Sequence, residues 1–326
     1  MSVVLVIGEV GPEGVRPESL EAVVAGRGVA DGLGVPLVGL LFGAMTGEAA
    51  TTFAASGLDR LIVADDPRLV PLTTESGTAV VGAAVRDLQA GAVLAAGTTA
   101  GKDFVPRLAA RLGVPSVADG IAFAVTDGSL VVTRGVLGGR VQSDVSFLGE
   151  GPWLATVRSG SHEKPEAVGA GPVPEAFPVE LESRDVRVTV RETGAKTSGP
   201  SSLGAAEVVV SGGRGLKEPA NFSLVEDLAR TFGGAVGATR AVVDAGWRPH
   251  HEQIGQTGTT VSPRLYIAVG ISGAVQHNVG MQGSDYVVAI NRDPDAPIFK
   301  SASFGIVGDA FEVVPALIAA LGRDKG

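Results

Sequence analysis

Residues 265–271 form an apolar, branched run that carries Gly270 and gives way to Ser272 and Gly273, after which residues 274–281 follow a helical pattern. Such a run, bounded by small residues, reads as a buried strand. Strand, small-residue turn and helix N-terminus in succession present free backbone N–H groups to an anion. Just upstream, Gly255-Gln256-Thr257-Gly258 is a second small-residue loop, rich in hydrogen-bonding groups. By themselves these residues indicate a nucleotide or a phosphate-bearing cofactor, and no more.

The same rhythm runs through the chain. Residues 3–7, 36–42, 60–64 and 92–96 read as strands. Residues 20–33, 48–55, 74–89 and 102–112 read as the helices between them, with Ser19 capping the first. This alternation gives βαβ units and a parallel sheet with right-handed crossovers. The pattern then shortens to alternating runs at 121–125, 130–133, 140–147 and 153–158, with turns at Gly128 and Gly138-Gly139, which predicts an antiparallel extension. Residues 163–178 carry four prolines and read as an extended connector, and residues 186–190 as one more strand. Residues 192–202 are polar and lack periodicity, so the main boundary falls there, between domains 1–195 and 196–326. The second domain restarts the alternation. Strands are expected at 208–210, 235–237, 265–271, 286–290 and 297–301, and helices at 222–232, 274–281 and 310–321.

Composition removes several classes. Formal charge is −9 without a basic cluster, a poor match for nucleic acid. With no cysteine there is no disulfide, thiolate metal site or thiol nucleophile, which fits a reducing compartment. The short apolar opening reads as a first strand rather than a signal peptide, and no apolar run approaches the ~18 residues of a membrane span.

Several motifs fail on inspection. Gly97-Thr98-Thr99-Ala100-Gly101-Lys102-Asp103 is one residue short of a P-loop and has Asp after the lysine. Gly270-Ile271-Ser272-Gly273-Ala274 lacks the last glycine of a nucleophile elbow. His250 and His251 are adjacent and cannot share one helix face as a zinc pair. Gly212-Gly213-Arg214-Gly215 follows a strand, but Glu218 stands where a dinucleotide fingerprint has its third glycine, so a tight turn and a phosphate contact both stay open.

Ser272-Gly273-Ala274-Val275-Gln276-His277, followed by Gly280 and Ala289-Ile290-Asn291, resembles the signature of the electron transfer flavoprotein alpha subunits. Gly212-Gly213-Arg214-Gly215, Ala238-Thr239-Arg240 and Ile254-Gly255-Gln256-Thr257 are similar to that family's other FAD contacts and occur in its order. The resemblance is strong over residues 207–321 and diffuse before. It implies an α/β protein of two domains. Domain 196–326 would be a doubly wound, Rossmann- or flavodoxin-like fold holding one FAD without a covalent bond. Domain 1–195 would resemble adenine-nucleotide hydrolase domains, bind nothing itself, and pack on a beta subunit that carries AMP.

The resemblance further implies an electron carrier rather than an enzyme with its own substrate. Electrons would come from flavin dehydrogenases, such as the acyl-CoA dehydrogenases of fatty acid oxidation, and pass to a quinone reductase or similar acceptor, in the cytoplasm. It carries Arg214 to FAD and sets Thr239 and Arg240 at the isoalloxazine, where a fixed cation favours the reduced and anionic forms. It places the Thr257 hydroxyl near N5, with the backbone of Ile254, Gly255 and Gln256 alongside. It sets His277 against O2 and Ser272, Gly273, Ala274, Val275 and Gln276 along the cofactor, Ser272 also capping the helix. Asn291, Asp309 and Ala310 would hold the adenosine half. Two other readings stay open: an NADH-oxidising, electron-bifurcating subunit, and a non-redox module of a heterodimer. The connector's composition suggests a flavin domain that swings.

Overall fold

The computed structural model describes residues 3–11, 14–44, 47–137, 139, 141–165, 169–191, 203–204 and 206–323. It divides into two compact units, Met1–Gly194 and Ala195–Gly326. The segment 192–202, where the sequence places the domain boundary, lies outside the described residues, as do Gly138 and Arg140.

The first unit comprises β1 (Val3–Gly11), β2 (Gly14–Val15), α1 (Pro17–Leu33), β3 (Leu37–Gly43), α2 (Gly47–Ala54), β4 (Arg60–Asp65), α3 (Thr74–Asp87) and β5 (Ala90–Ala96). It continues with α4 (Thr99–Leu112), β6 (Ser116–Thr126), β7 (Ser129–Val136), β8 (Val141–Ser146), β9 (Trp153–Val157) and β10 (Glu175–Ala176). The sheet order is β10-β4-β3-β1-β5-β9-β6-β7-β8. Pairing is parallel from β10 to β6 and antiparallel across β6, β7 and β8. Successive β1 side chains point to opposite faces: Val4 and Val6 pack with Val29 of α1, while Leu5 and Ile7 pack with Val81 of α3 and Leu108 of α4. Helices on both faces explain why these strands read as continuous apolar runs.

Four expectations change here. Residues 153–157 do not extend the antiparallel set; β9 inserts between β5 and β6, parallel to both. Its burial on both faces, Trp153 included, selects the sheet centre. Residues 186–190 form no strand, and Val186, Val188 and Val190 are exposed. The proline-rich stretch supplies β10, held against β4 by a bidentate Arg60–Glu175 pair. Ser19 lies inside α1, whose N-cap is Arg16; its Oγ accepts the Glu9 N–H at 2.9 Å.

The second unit contains β11 (Val208–Gly212), α5 (Ser223–Phe232), β12 (Ala235–Thr239), α6 (Arg240–Asp244) and β13 (Gln253–Ile254). Then come β14 (Leu265–Val269), α7 (Val275–Asn278), β15 (Tyr286–Asn291), β16 (Phe304–Val307) and α8 (Ala310–Arg323). The sheet is parallel throughout, in the order β13-β12-β11-β14-β15-β16. The chain steps outward from β11 to β13 and returns beside β11 with β14. Strand order therefore reverses between β11 and β14, the place where such sheets take a ligand outside their C-terminal ends. One face carries α5 and α8, through Val225, Leu228 and Val314. The other is covered by loops, through Ile271, Met281 and Ile298.

Two expected elements differ. Residues 297–301 form a 3-10 turn opened by Pro297, and the edge strand is β16. The helix expected over 274–281 contracts to the single turn α7.

Candidate functional site

The loops that leave β11, β13, β14, β15 and β16 emerge at the C-terminal ends of the second sheet's strands, and glycines let their backbones touch. The N–H of Gly213 donates to the Val269 carbonyl (2.9 Å) and that of Gly215 to the Gly270 carbonyl (3.0 Å). A Cβ on Gly213 would fall 2.3 Å from the Gly270 oxygen. Gly273, at φ +83°, faces Ile298 so closely that a Cβ would lie 2.2 Å from its nitrogen. Gly255, at φ +140°, meets the loop of α7, and the Gln256 N–H donates to the Gln276 carbonyl at 2.7 Å. The positive φ of Gly255 and Gly273 favours glycine, and at Gly213 it is the close approach of the Gly270 carbonyl that excludes a side chain.

This stitching leaves a row of donors. Among the described residues, the N–H groups of Ser272, Gly273, Ala274, Val275 and Gln276 find no protein acceptor. Successive unpaired amides form an anion-binding concavity. The donor row and the glycine surfaces beside it fit a diphosphate-bearing cofactor.

The expected site residues fall around this row. Thr239 pairs in register with Ile254 and is the N-cap of α6, yet its hydroxyl makes no capping bond. Arg240 opens α6, exposed, with its guanidinium 3.2 Å from Asp244. Thr257 Oγ1 accepts from Gln253 Nε2 at 3.1 Å, which leaves the hydroxyl proton available. Gln256, Ala274, Val275 and Gln276 are exposed. Arg214 is exposed on the 3-10 turn after β11. Asn291 Nδ2 donates to the Ile271 carbonyl (2.8 Å) while its Oδ1 accepts the Asp293 N–H (3.0 Å). Asp309 Oδ1 accepts the Phe311 N–H at 3.0 Å, capping α8, and Ala310 is buried behind it. The Gly308 N–H, one residue before Asp309, donates to the Asn291 carbonyl.

One assignment needs correction. Ser272 does not cap α7; Ala274 occupies that position without a side-chain bond, and the Ser272 carbonyl accepts the Ile298 N–H. His277 stands on the turn of α7. Its ring is buried, with Nε2 2.8 Å from the Tyr266 hydroxyl and Nδ1 3.2 Å from the Ile254 carbonyl. Burial holds the imidazole down at about 4, so it is neutral at pH 7.

Two residues escaped the sequence reading. Tyr266 is fully buried in β14, and burial pushes its phenol above the usual range. A phenol inside an otherwise apolar strand was the available signal. Arg248 pairs with Glu226 of α5 and with Glu252, and lies 5.1 Å from the centre of the Phe222 ring. It anchors the segment that leads into β13, and the i,i+4 spacing of Arg248 and Glu252 was the hint.

The P-loop look-alike of the first unit has protein partners. Thr98 caps α4 and donates to the buried Glu9 carboxylate, and Lys102 pairs with Asp119 at 3.5 Å. Among the described residues no group of His, Asp and Glu could hold a metal ion, and no helix is long and apolar enough to cross a membrane.

Comparison with known proteins agrees with this geometry. Residues 202–282 match the family model described as the electron transfer flavoprotein FAD-binding domain, and residues 4–181 match the electron transfer flavoprotein domain. A protein named FixB from Clostridium saccharobutylicum is 41% identical over 303 residues, covering 92% of this chain and 90% of its own. The electron transfer flavoprotein subunit alpha of Bacillus subtilis is 38% identical over 318 residues, covering 96% and 95%. A protein of Anaerotignum propionicum named acryloyl-CoA reductase electron transfer subunit beta is 35% identical, covering 94% and 91%. With both units matched and the signature loops assembled at the C-terminal ends of the second sheet, the chain belongs to the electron transfer flavoprotein family, as an alpha subunit.

Proposed function

We propose that the chain pairs with a beta subunit that carries AMP, and that the loops around residues 272–276 hold one FAD. We further propose that it carries electrons from flavin dehydrogenases of the acyl-CoA type to a quinone reductase or similar acceptor. The observation that carries the FAD placement is the row of N–H groups from Ser272 to Gln276 without an acceptor among the described residues. The relative named for acryloyl-CoA reductase supports the acyl-CoA end of the route.

Bound FAD supplies one- and two-electron redox chemistry, and the protein supplies orientation and electrostatics. The amides of 272–276 would neutralise the diphosphate, and Gly255 and Gly273, whose added Cβ would strike the backbone of Gln276 and Ile298, let the loops that carry those amides pack together. Arg214 adds a cation at the mouth of the loop after β11. Arg240, tethered on one side by Asp244, would hold a positive charge for the ring system and favour its reduced forms. The Thr239 hydroxyl, unused by its own helix, and the Thr257 hydroxyl proton are the neutral donors. Asn291 and Asp309 act at the adenosine end mainly by fixing the backbone there.

The test is the visible spectrum of the two-subunit protein after gentle purification and FAD addition, followed during reduction by an acyl-CoA dehydrogenase with its substrate. Flavin bands that bleach with turnover are expected. A colourless protein removes the FAD reading and leaves the non-redox module. Bleaching by NADH alone would move the assignment to the NADH-oxidising alternative.

A further inference from the structure

We propose that Lys217 binds the diphosphate of FAD, an assignment that rests on the FAD reading of the second unit. A strained turn after β11 carries its ammonium toward the adenosine end of the site, where it acts with Arg214.

The backbone is unusual at this residue. Lys217 stands at φ +72°, ψ −45°. Across it the Glu218 N–H donates to the Leu216 carbonyl at 2.9 Å. A bond from residue i+2 back to residue i over a central residue of positive φ is the rare, strained form of the γ-turn. Glycine takes that conformation freely and lysine does not. The surroundings hold the turn in place. Leu216 is fully buried, its carbonyl also accepts from Asn221 Nδ2 at 2.8 Å, and the Gly215 N–H is tied to the Gly270 carbonyl. Strain enforced in this way clusters at ligand sites.

The side chain shows where the turn sends its charge. Lys217 Nζ lies 4.6 Å from the centre of the Phe311 ring, in the first turn of α8. Phe311 follows Asp309 by two residues and donates its N–H to that carboxylate. The ammonium therefore reaches the Asp309 end of the site. Arg214 and Lys217 stand at the two ends of one 3-10 turn, and among the described residues neither enters an ion pair. In a chain with 35 acidic and 26 basic residues, two unpaired cations on one loop draw an anion from outside. The glycines of that loop touch Gly270, two residues before the amide row begins. Amides supply direction without net charge, and two cations balance the two charges of a diphosphate.

The experiment uses the two-subunit protein, stripped of FAD and titrated. Lys217→Gly removes the charge and relieves the backbone, so it separates the two roles. The FAD-free variant should melt at or above the wild-type temperature. Its FAD dissociation constant should nevertheless rise roughly 5- to 30-fold, the loss of one exposed charge-assisted contact. Lys217→Arg keeps the charge and should stay within about threefold of wild type. Riboflavin, which has no phosphate, should bind wild type and Lys217→Gly alike, whereas ADP should lose affinity as FAD does. Added salt should weaken FAD binding more steeply in wild type than in Lys217→Gly.

Unchanged FAD affinity in Lys217→Gly, an equal loss for riboflavin, or a FAD-free variant that melts well below wild type would each overturn the proposal. Wild-type protein that takes up no FAD but binds ADP in a Lys217-dependent way would instead overturn the flavin reading and leave the diphosphate contact standing.

Discussion

Gly280 lies so close to Gly255 that a Cβ on it would fall 2.4 Å from the Gly255 nitrogen. The loop after β13 and the turn of α7 are thus in backbone contact, and the donor row at 272–276 depends on that separation being kept.

Gly280→Ala should therefore force the two loops apart, costing about 1–3 kcal/mol and weakening FAD retention. Gly28→Ala is the contrasting case. Gly28 sits in α1 with nothing within 4 Å of an added Cβ, so alanine should stabilise the protein by up to about 1 kcal/mol. Denaturant titration read by circular dichroism and flavin fluorescence checks both, and two equal effects would count against the backbone-contact argument.

Arg240 makes one exposed i,i+4 ion pair with Asp244. Removing such a pair costs under about 0.5 kcal/mol, so Arg240→Ala should melt nearly as the wild type does. The potential of the bound flavin should nevertheless fall by roughly 20–60 mV per electron, about 0.5–1.4 kcal/mol of lost charge stabilisation. A potentiometric titration at low and high salt measures the shift, and high salt should shrink it.

Thr257 already accepts from Gln253 Nε2, so the hydroxyl proton is the part a cofactor can use. Thr257→Ala should shift the one-electron potentials while leaving FAD stoichiometry near one per two-subunit protein. Thr257→Ser should restore them. Identical titrations for all three proteins would take Thr257 out of the tuning set.

In the first unit, burial pushes the Glu21 carboxyl up from 4.5 to about 7, helped by Glu18 and opposed by the backbone N–H groups of Gly160 and His162. The folded chain keeps this proton after the unfolded chain has lost it. The contribution is therefore complete below about 4.5 and is lost as pH rises through about 7. Glu9 shifts in the same direction, so the difference between proteins is the informative quantity. Glu21→Gln should gain in Tm relative to wild type between pH 5 and 7.5, and parallel pH profiles would show that Glu21 is not the source.

Much of this was readable in one dimension. Apolar runs bounded by glycine marked the strand beginning at Leu265, the loops beginning at Gly212 and Gly255, and the alternation that builds two parallel sheets. Those signals are local, because strand period, helix period and turn chemistry depend on neighbours a few residues away. The prolines carried a mixed message. Pro297 opens a 3-10 turn over the residues that read as a strand, and the edge strand forms just after it with exposed Phe304, a pattern that alternation alone does not distinguish.

The sequence by itself determined the α/β alternation, the glycine-lined turns and the family signature in the second unit, because each is written in contiguous residues. Only the tertiary structure decided that Trp153–Val157 runs parallel at the sheet centre and that His277 turns inward to Tyr266 and Ile254. The reason is that strand partners and hydrogen-bond directions are chosen by burial among residues distant in the chain. A buried imidazole takes whatever donor and acceptor the packed sheet brings to it.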